Sequence, residues 1–180
     1  MYEVYTDTLP SVQSIHIFTS DRQEIQVIIP KKFMFDKWMD SSYVFILEDV
    51  NFDGYNDIRV LTGLTANVQK QYAYWLYDKK NETFKSDTTL GKYWNVSFNS
   101  VEKTVHTWWR IPEDYGHALY RWNKDQLDLI IMEEEKWIAD LGFLSTTEVI
   151  KGKTISKSKK IKEPRIDIYK HPSIYDLNKQ

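Results

Sequence analysis

The chain has 180 residues, 42% of them hydrophobic and 15% aromatic, and a formal net charge of −2. That length fits one ordinary domain with a real core, and the small charge gives no global field to draw the chain to nucleic acid. Cysteine is absent, which excludes disulfides, thiol nucleophiles and cysteine-based zinc sites.

Residues 14–20 and 24–29 read as two strands around the polar turn Ser20-Asp21-Arg22-Gln23. Ile25, Val27 and Ile29 share one face of the second strand, and Pro30 ends it, because proline cannot continue a ladder. Lys31 to Ser42, with Phe33, Met34, Trp38 and Met39, fits either one short amphipathic helix or an ordered loop. Tyr43-Val44-Phe45-Ile46-Leu47 and Ile58-Arg59-Val60-Leu61 are short β-branched and aromatic runs, hence strands.

Between those strands lies Asp49-Val50-Asn51-Phe52-Asp53-Gly54-Tyr55-Asn56-Asp57, a D-x-N-x-D-G-x-x-D pattern. A hard cation such as Ca²⁺ takes about six to eight oxygens. Asp49, Asn51, Asp53 and Asp57 offer side-chain oxygens, and Tyr55 would add its backbone carbonyl. Val50 and Phe52 point away, and Gly54 permits the positive φ of a sharp reversal. An EF-hand would place helices on both flanks and a bidentate Glu at its twelfth position. Here strands flank the loop and the twelfth position is Val60. The pattern predicts a calcium loop joining two strands, with affinity on the order of 10⁻⁴ M. A metal-free Asp-Gly hairpin turn is the alternative.

Further on, residues 72–77 form an aromatic strand that turns through residues 78–82 into Thr83-Phe84. Residues 104–111 alternate, with Val105, Thr107, Trp109 and Ile111 on one face. Pro112 to Gly116 reads as a loop. Residues 117–122 and 127–132 form a hairpin, and Glu148-Val149-Ile150 with Lys153-Thr154-Ile155 suggests another. Roughly ten strands spaced about 8–12 residues apart predict an all-β fold of antiparallel hairpins. The recurring phrases Tyr74-Trp75-Leu76-Tyr77-Asp78 and Leu119-Tyr120-Arg121-Trp122-Asn123 suggest a propeller-like arrangement. We expect one β domain over residues 1–163 and a C-terminal tail over 164–180. No segment is long enough to span a membrane as a helix. Met1-Tyr2-Glu3-Val4 lacks the basic and apolar regions of a secretion signal. A calcium loop of modest affinity fills outside the cytosol, so the expected location is the bacterial periplasm or envelope, with the signal segment outside this sequence.

Residues 47–60, with the Tyr-rich run Tyr72-Ala73-Tyr74-Trp75-Leu76-Tyr77-Asp78, resemble FG-GAP-like calcium-loop proteins of the bacterial envelope. The similarity covers about residues 12–135, and Asp49, Asn51, Asp53 and Asp57 match the family's loop residue for residue. The resemblance implies a β-propeller-like fold, one calcium site and kinship with an immunity protein. That immunity protein inhibits a lysozyme-like peptidoglycan hydrolase delivered between rival bacteria by a secretion system. No motif here marks an inhibitory contact.

Other residues carry weaker signals. His16, His106, His117 and His171 lack metal-ligand spacing, and no G-x-S-x-G nucleophile motif occurs. Arg110, Glu113, Asp114, Tyr115 and His117 form the candidate partner-binding segment, since interfaces favour aromatic and Arg anchors. The ordinary connecting loop is its alternative. Glu133-Glu134-Glu135 reads as a solvated strand end, and adjacent Trp108 and Trp109 point to opposite faces. Lys151 to Lys162 holds six lysines, read as a solvated strand edge or as an anionic-surface patch. The expectation is a monomeric, non-enzymatic protein that binds another protein, a cell-wall hydrolase. A carbohydrate-binding module with a structural calcium site is the alternative. A glycoside hydrolase would need clustered carboxylates about 5–9.5 Å apart in a cleft.

Overall fold

Alternating apolar and polar runs punctuated by short polar turns give a chain of hairpins. The computed structural model describes residues 1–6, 12–31, 43–65, 69–111, 114–138 and 141–163. These hold thirteen strands in three antiparallel sheets. The all-β antiparallel reading holds. Every sheet is an open meander in which successive strands are neighbours, and no closed barrel or propeller occurs among the described residues. The helix-or-loop stretch before Tyr43 and the tail over 164–180 fall largely or wholly outside the described residues. No helix among those residues is long and apolar enough to cross a membrane. The chain divides into two compact units, Met1–Lys92 and Tyr93–Gln180.

The first unit contains two sheets. Strands β1 (Tyr2–Thr6), β2 (Val12–Phe18) and β3 (Glu24–Ile28) form one. Strands β4 (Phe45–Glu48), β5 (Asp57–Leu64), β6 (Lys70–Asp78) and β7 (Thr83–Asp87) form the other. In β3 the face carrying Ile25 and Val27 is exposed, whereas Ile28 is buried. The cause is register: Ile28 sits opposite Ile15 of β2, and Ile15 is fully buried. The Gln26 side chain ties β3 to β7. Its amide nitrogen donates to the Phe84 carbonyl (2.7 Å), and its oxygen accepts the Phe84 N–H (2.8 Å). Five consecutive residues of β5, Asp57 to Leu61, are buried, so this strand is covered on both faces. Ile58, Val60 and Leu61 join Val44, Val50, Tyr72, Tyr74 and Leu90 among the buried side chains of this unit.

The second unit is one six-stranded meander. It comprises β8 (Ser97–Asn99), β9 (Thr104–Ile111), β10 (Asp114–Asn123), β11 (Gln126–Ile138), β12 (Leu141–Ile150) and β13 (Lys153–Ile161). The expected loop from Pro112 to Gly116 is corrected here. Asp114, Tyr115 and Gly116 belong to β10, paired with Ile111, Arg110 and Trp109 of β9. A side chain on Gly116 would collide with the Trp109 ring, 2.2 Å from its nearest atom. The missing Cβ therefore makes room for the indole, rather than marking a turn. The Glu133-Glu134-Glu135 run is corrected as well: it lies inside the thirteen-residue strand β11, and Glu135 is buried. Cross-strand partners on both sides carry the ladder through those three acids. Trp108 and Trp109 are both half-buried.

Candidate functional site

The acidic loop connects β4 to β5. Two residues in the left-handed region turn it, Phe52 (φ 63°) and Gly54 (φ 90°). Glycine takes that conformation freely, but for a bulky residue such as Phe it costs about 1–3 kcal/mol and persists where its surroundings enforce it. The enforcement is a net of side-chain to backbone hydrogen bonds. Asp49 accepts from the N–H of Asp53 (3.1 Å) and of Gly54 (2.9 Å). Asn51 accepts from Asp53 N–H (3.1 Å), and its amide donates to the Asp53 carboxylate (2.9 Å). Asp53 in turn accepts from Tyr55 N–H (2.9 Å). Val50, between Asp49 and Asn51, is fully buried and pins the loop to the core.

Asp57 closes the loop from the first position of β5. Its two oxygens accept from Val50 N–H (3.0 Å) and from Tyr77 N–H on β6 (2.8 Å). The residue is completely shielded from solvent. Burial pushes its carboxyl up to about 6; the two N–H donors oppose the shift, and the nearby Asp53 and Asp49 carboxylates add to it. The loop thus concentrates like charges that backbone dipoles neutralise incompletely.

Among the described residues no three His, Cys, Asp or Glu side chains are gathered closely enough to form a metal cluster. The loop's donor chemistry nevertheless fits a hard cation. Asp49, Asn51, Asp53 and Asp57 supply oxygen alone toward a cation, and each carboxylate oxygen keeps a lone pair beyond its backbone hydrogen bond. Aromatic packing supports the far side of the loop: Tyr55 lies 5.5 Å from Tyr77, which lies 5.3 Å from Phe84.

Beside the loop is an ion pair between a buried arginine and a half-exposed glutamate, absent from the sequence expectations. Arg59, 7% exposed, bonds Glu48 on the neighbouring strand, and its guanidinium lies 4.2 Å from the Tyr72 ring centroid. Burial pushes the Tyr72 and Tyr74 hydroxyls above their ordinary values. The available signal was the lone arginine in the apolar run Ile58-Arg59-Val60-Leu61, since a charge there must be paired.

The partner-binding candidates lie in the second unit. Strand register places Arg110, Tyr115 and His117 on one face of the sheet and Asp114 on the other. Glu113 lies outside the described residues. The Arg110 guanidinium is 5.6 Å from the Tyr115 ring centroid, and Asp114 is 3.7 Å from Lys136 Nζ. His117 is buried, and its Nε2 donates to Glu133 (3.1 Å), which also accepts from the Thr146 hydroxyl (3.2 Å). The His117 hydrogen bond leads in holding the Glu133 carboxyl below its usual value, against the opposing effect of burial; Thr146 and Lys159 assist. The buried Glu135 accepts from the Trp137 indole (2.5 Å). These side chains form a polar row across the sheet, and His117 is one of its internal members.

The sequence matches no protein-family model and no curated protein. In fold it is similar to a solved structure described as that of a Xanthomonas type IV secretion system related protein. The TM-score is 0.61 at 14% identity, over 81% of this chain and 78% of that one.

Proposed function

We propose that the chain is a calcium-stabilised, non-enzymatic protein of the bacterial envelope that acts as an immunity protein against a lysozyme-like peptidoglycan hydrolase. The observation that carries this reading is the acidic loop, which places a buried carboxylate among like charges between two strands. That is the feature by which the chain resembles the FG-GAP-like envelope proteins. The fold likeness to a secretion-system-related protein supports the same direction. In this reading Asp49, Asn51, Asp53, Asp57 and the Tyr55 carbonyl hold Ca²⁺. The cation supplies positive charge that offsets the loop's carboxylates and stabilises the folded state, since it binds that state alone. Arg110, Tyr115 and neighbouring strand-borne groups contribute to the contact with the hydrolase, in keeping with the weight of aromatic and Arg anchors in protein affinity.

The test uses the purified chain with lysozyme-like peptidoglycan hydrolases, following the clearing of a peptidoglycan suspension. The chain alone should release no sugar, and an equimolar amount should suppress clearing. Undiminished clearing in excess chain would overturn the inhibitor reading. Micromolar binding on a glycan array without suppression would replace it with the carbohydrate-binding module.

A further inference from the structure

The hairpin β12–β13 forms one edge of the six-stranded sheet. The twelve residues Lys151–Lys162 carry six lysines and no acid. Set against a chain total of −2, those six positive charges leave −8 for all other residues. The chain is therefore electrically polarised although its sum is small. Every residue of β13 up to Lys160 is exposed.

Register sorts these residues between the two faces. Ile150 pairs with Lys153, Glu148 with Ile155, Thr146 with Lys157 and Leu144 with Lys159. Alternation therefore puts Ile150, Lys153, Ile155, Lys157 and Lys159 on one face, together with Leu144, Thr146 and the single acid Glu148. Ile150 and Ile155 are 48% and 41% exposed. The opposite face carries mostly hydroxyls, with Phe143, Val149 and one lysine, Lys160: Ser145 donates to Ser158 (3.2 Å), and Thr147 bonds Ser156 (3.0 Å). The tip is a two-residue turn in which Lys151 (φ 51°) and Gly152 (φ 74°) both take positive φ. This is the tight hairpin geometry that matches strand twist. Lysines that merely guard an edge against pairing need neither segregation onto one face nor exposed isoleucines between them. Cations around exposed aliphatic groups on one side of a rigid hairpin match an anionic bilayer surface. Such a surface offers phosphate groups to the lysines and acyl chains to the isoleucines.

We infer that the Ile/Lys face of the β12–β13 hairpin docks onto anionic phospholipid. Lys151, Lys153, Lys157 and Lys159 contact headgroup phosphates, and Ile150 and Ile155 enter the interface. This goes beyond the inhibitor reading and stands independently of it.

The test is flotation of the full chain with phosphatidylglycerol/phosphatidylcholine vesicles and with pure phosphatidylcholine vesicles. The chain should float with the first at low salt and not with the second. Lys153→Gln/Lys157→Gln/Lys159→Gln should weaken binding about a hundredfold, since each lysine near such a surface contributes on the order of a fivefold factor. Ile150→Ser/Ile155→Ser should weaken it at unchanged charge, and Lys160→Gln, on the hydroxyl face, should weaken it less than any one of the three. Circular dichroism of each variant confirms that the sheet is intact. Failure to float with anionic vesicles at low salt would overturn the inference. So would flotation unaffected by the triple substitution, or binding to an oligonucleotide or an acidic protein with vesicles inert.

Discussion

Asp57 of the first unit is fully buried and Glu133 of the second half-buried, and their carboxyls respond in opposite senses. Asp57 is met by two backbone N–H groups and by the fields of two further aspartates, and its carboxyl rises to about 6. Glu133 is met by His117, Thr146 and the field of Lys159, and its carboxyl falls below the ordinary value. Burial alone raises both; the partner sets the sign. Among the described residues no cation acts on Asp57, whereas Lys159 acts on Glu133. In the proposed reading a cation from solution takes that place, whereas in the second unit His117 and Thr146 bond Glu133 directly.

The sharpest way to break this contrast is to supply the cation. With affinity on the order of 10⁻⁴ M, 10 mM Ca²⁺ should stabilise the chain by about 2.7 kcal/mol. For a chain of this size that is roughly 5–10 °C in Tm. Asp57→Asn removes the buried charge, leaves one of the two backbone N–H donors without an acceptor, and should abolish the calcium shift. A wild type whose Tm is unmoved by calcium would show that the loop is a plain turn.

A smaller effect comes from removing the second unit's partner. His117→Ala leaves Glu133 partly buried without its principal donor and should cost about 1–3 kcal/mol in urea unfolding. Adding Glu133→Gln should recover part of that loss. An equal cost of Glu133→Gln in the wild type and in His117→Ala would mean that the pair is not coupled.

The smallest effects are the single titrations, and their signs should differ. In EDTA the folded carboxyl of Asp57 titrates at about 6, above its ordinary 3.8. Its stabilising contribution is therefore full below about pH 4 and is lost as pH rises towards 6. Glu133 has its folded value below the ordinary 4.5, so its contribution is present above about pH 4.5 and is lost as pH falls through the lower value. Urea stability against pH, taken as wild type minus Asp57→Asn and wild type minus Glu133→Gln, should slope in opposite directions. Slopes of one sign would dissolve the comparison.

Strands were legible where alternation was strict, as in residues 104–111, and where hydrophobic runs were dense, as in 72–77. The acidic loop was legible because its ligand spacing is local to nine residues. What escaped depends on partners distant in sequence. Pro112 and Gly116 suggested a loop because both residues commonly break strands, but Gly116 serves a cross-strand indole. The three glutamates suggested solvent because like charges repel, but His117 and Thr146 pair with Glu133, and Trp137 bonds Glu135. Arg59 depends on Glu48, eleven residues earlier, and on two tyrosines of the next strand. Strand β1 has five residues and exposed tyrosines, so its pattern gave no inward face to recognise.

The Gln26 amide, which bonds both backbone groups of Phe84, bears on the life of the chain at high concentration. A strand edge with unsatisfied N–H and C=O groups is a template for a foreign strand. At Phe84 a primary amide takes the place that a neighbouring backbone would fill. Glutamine is suited to this because its side chain repeats the donor and acceptor of a peptide unit. Self-association is thereby opposed by a group that belongs to the fold, without a charge or proline at that position on β7.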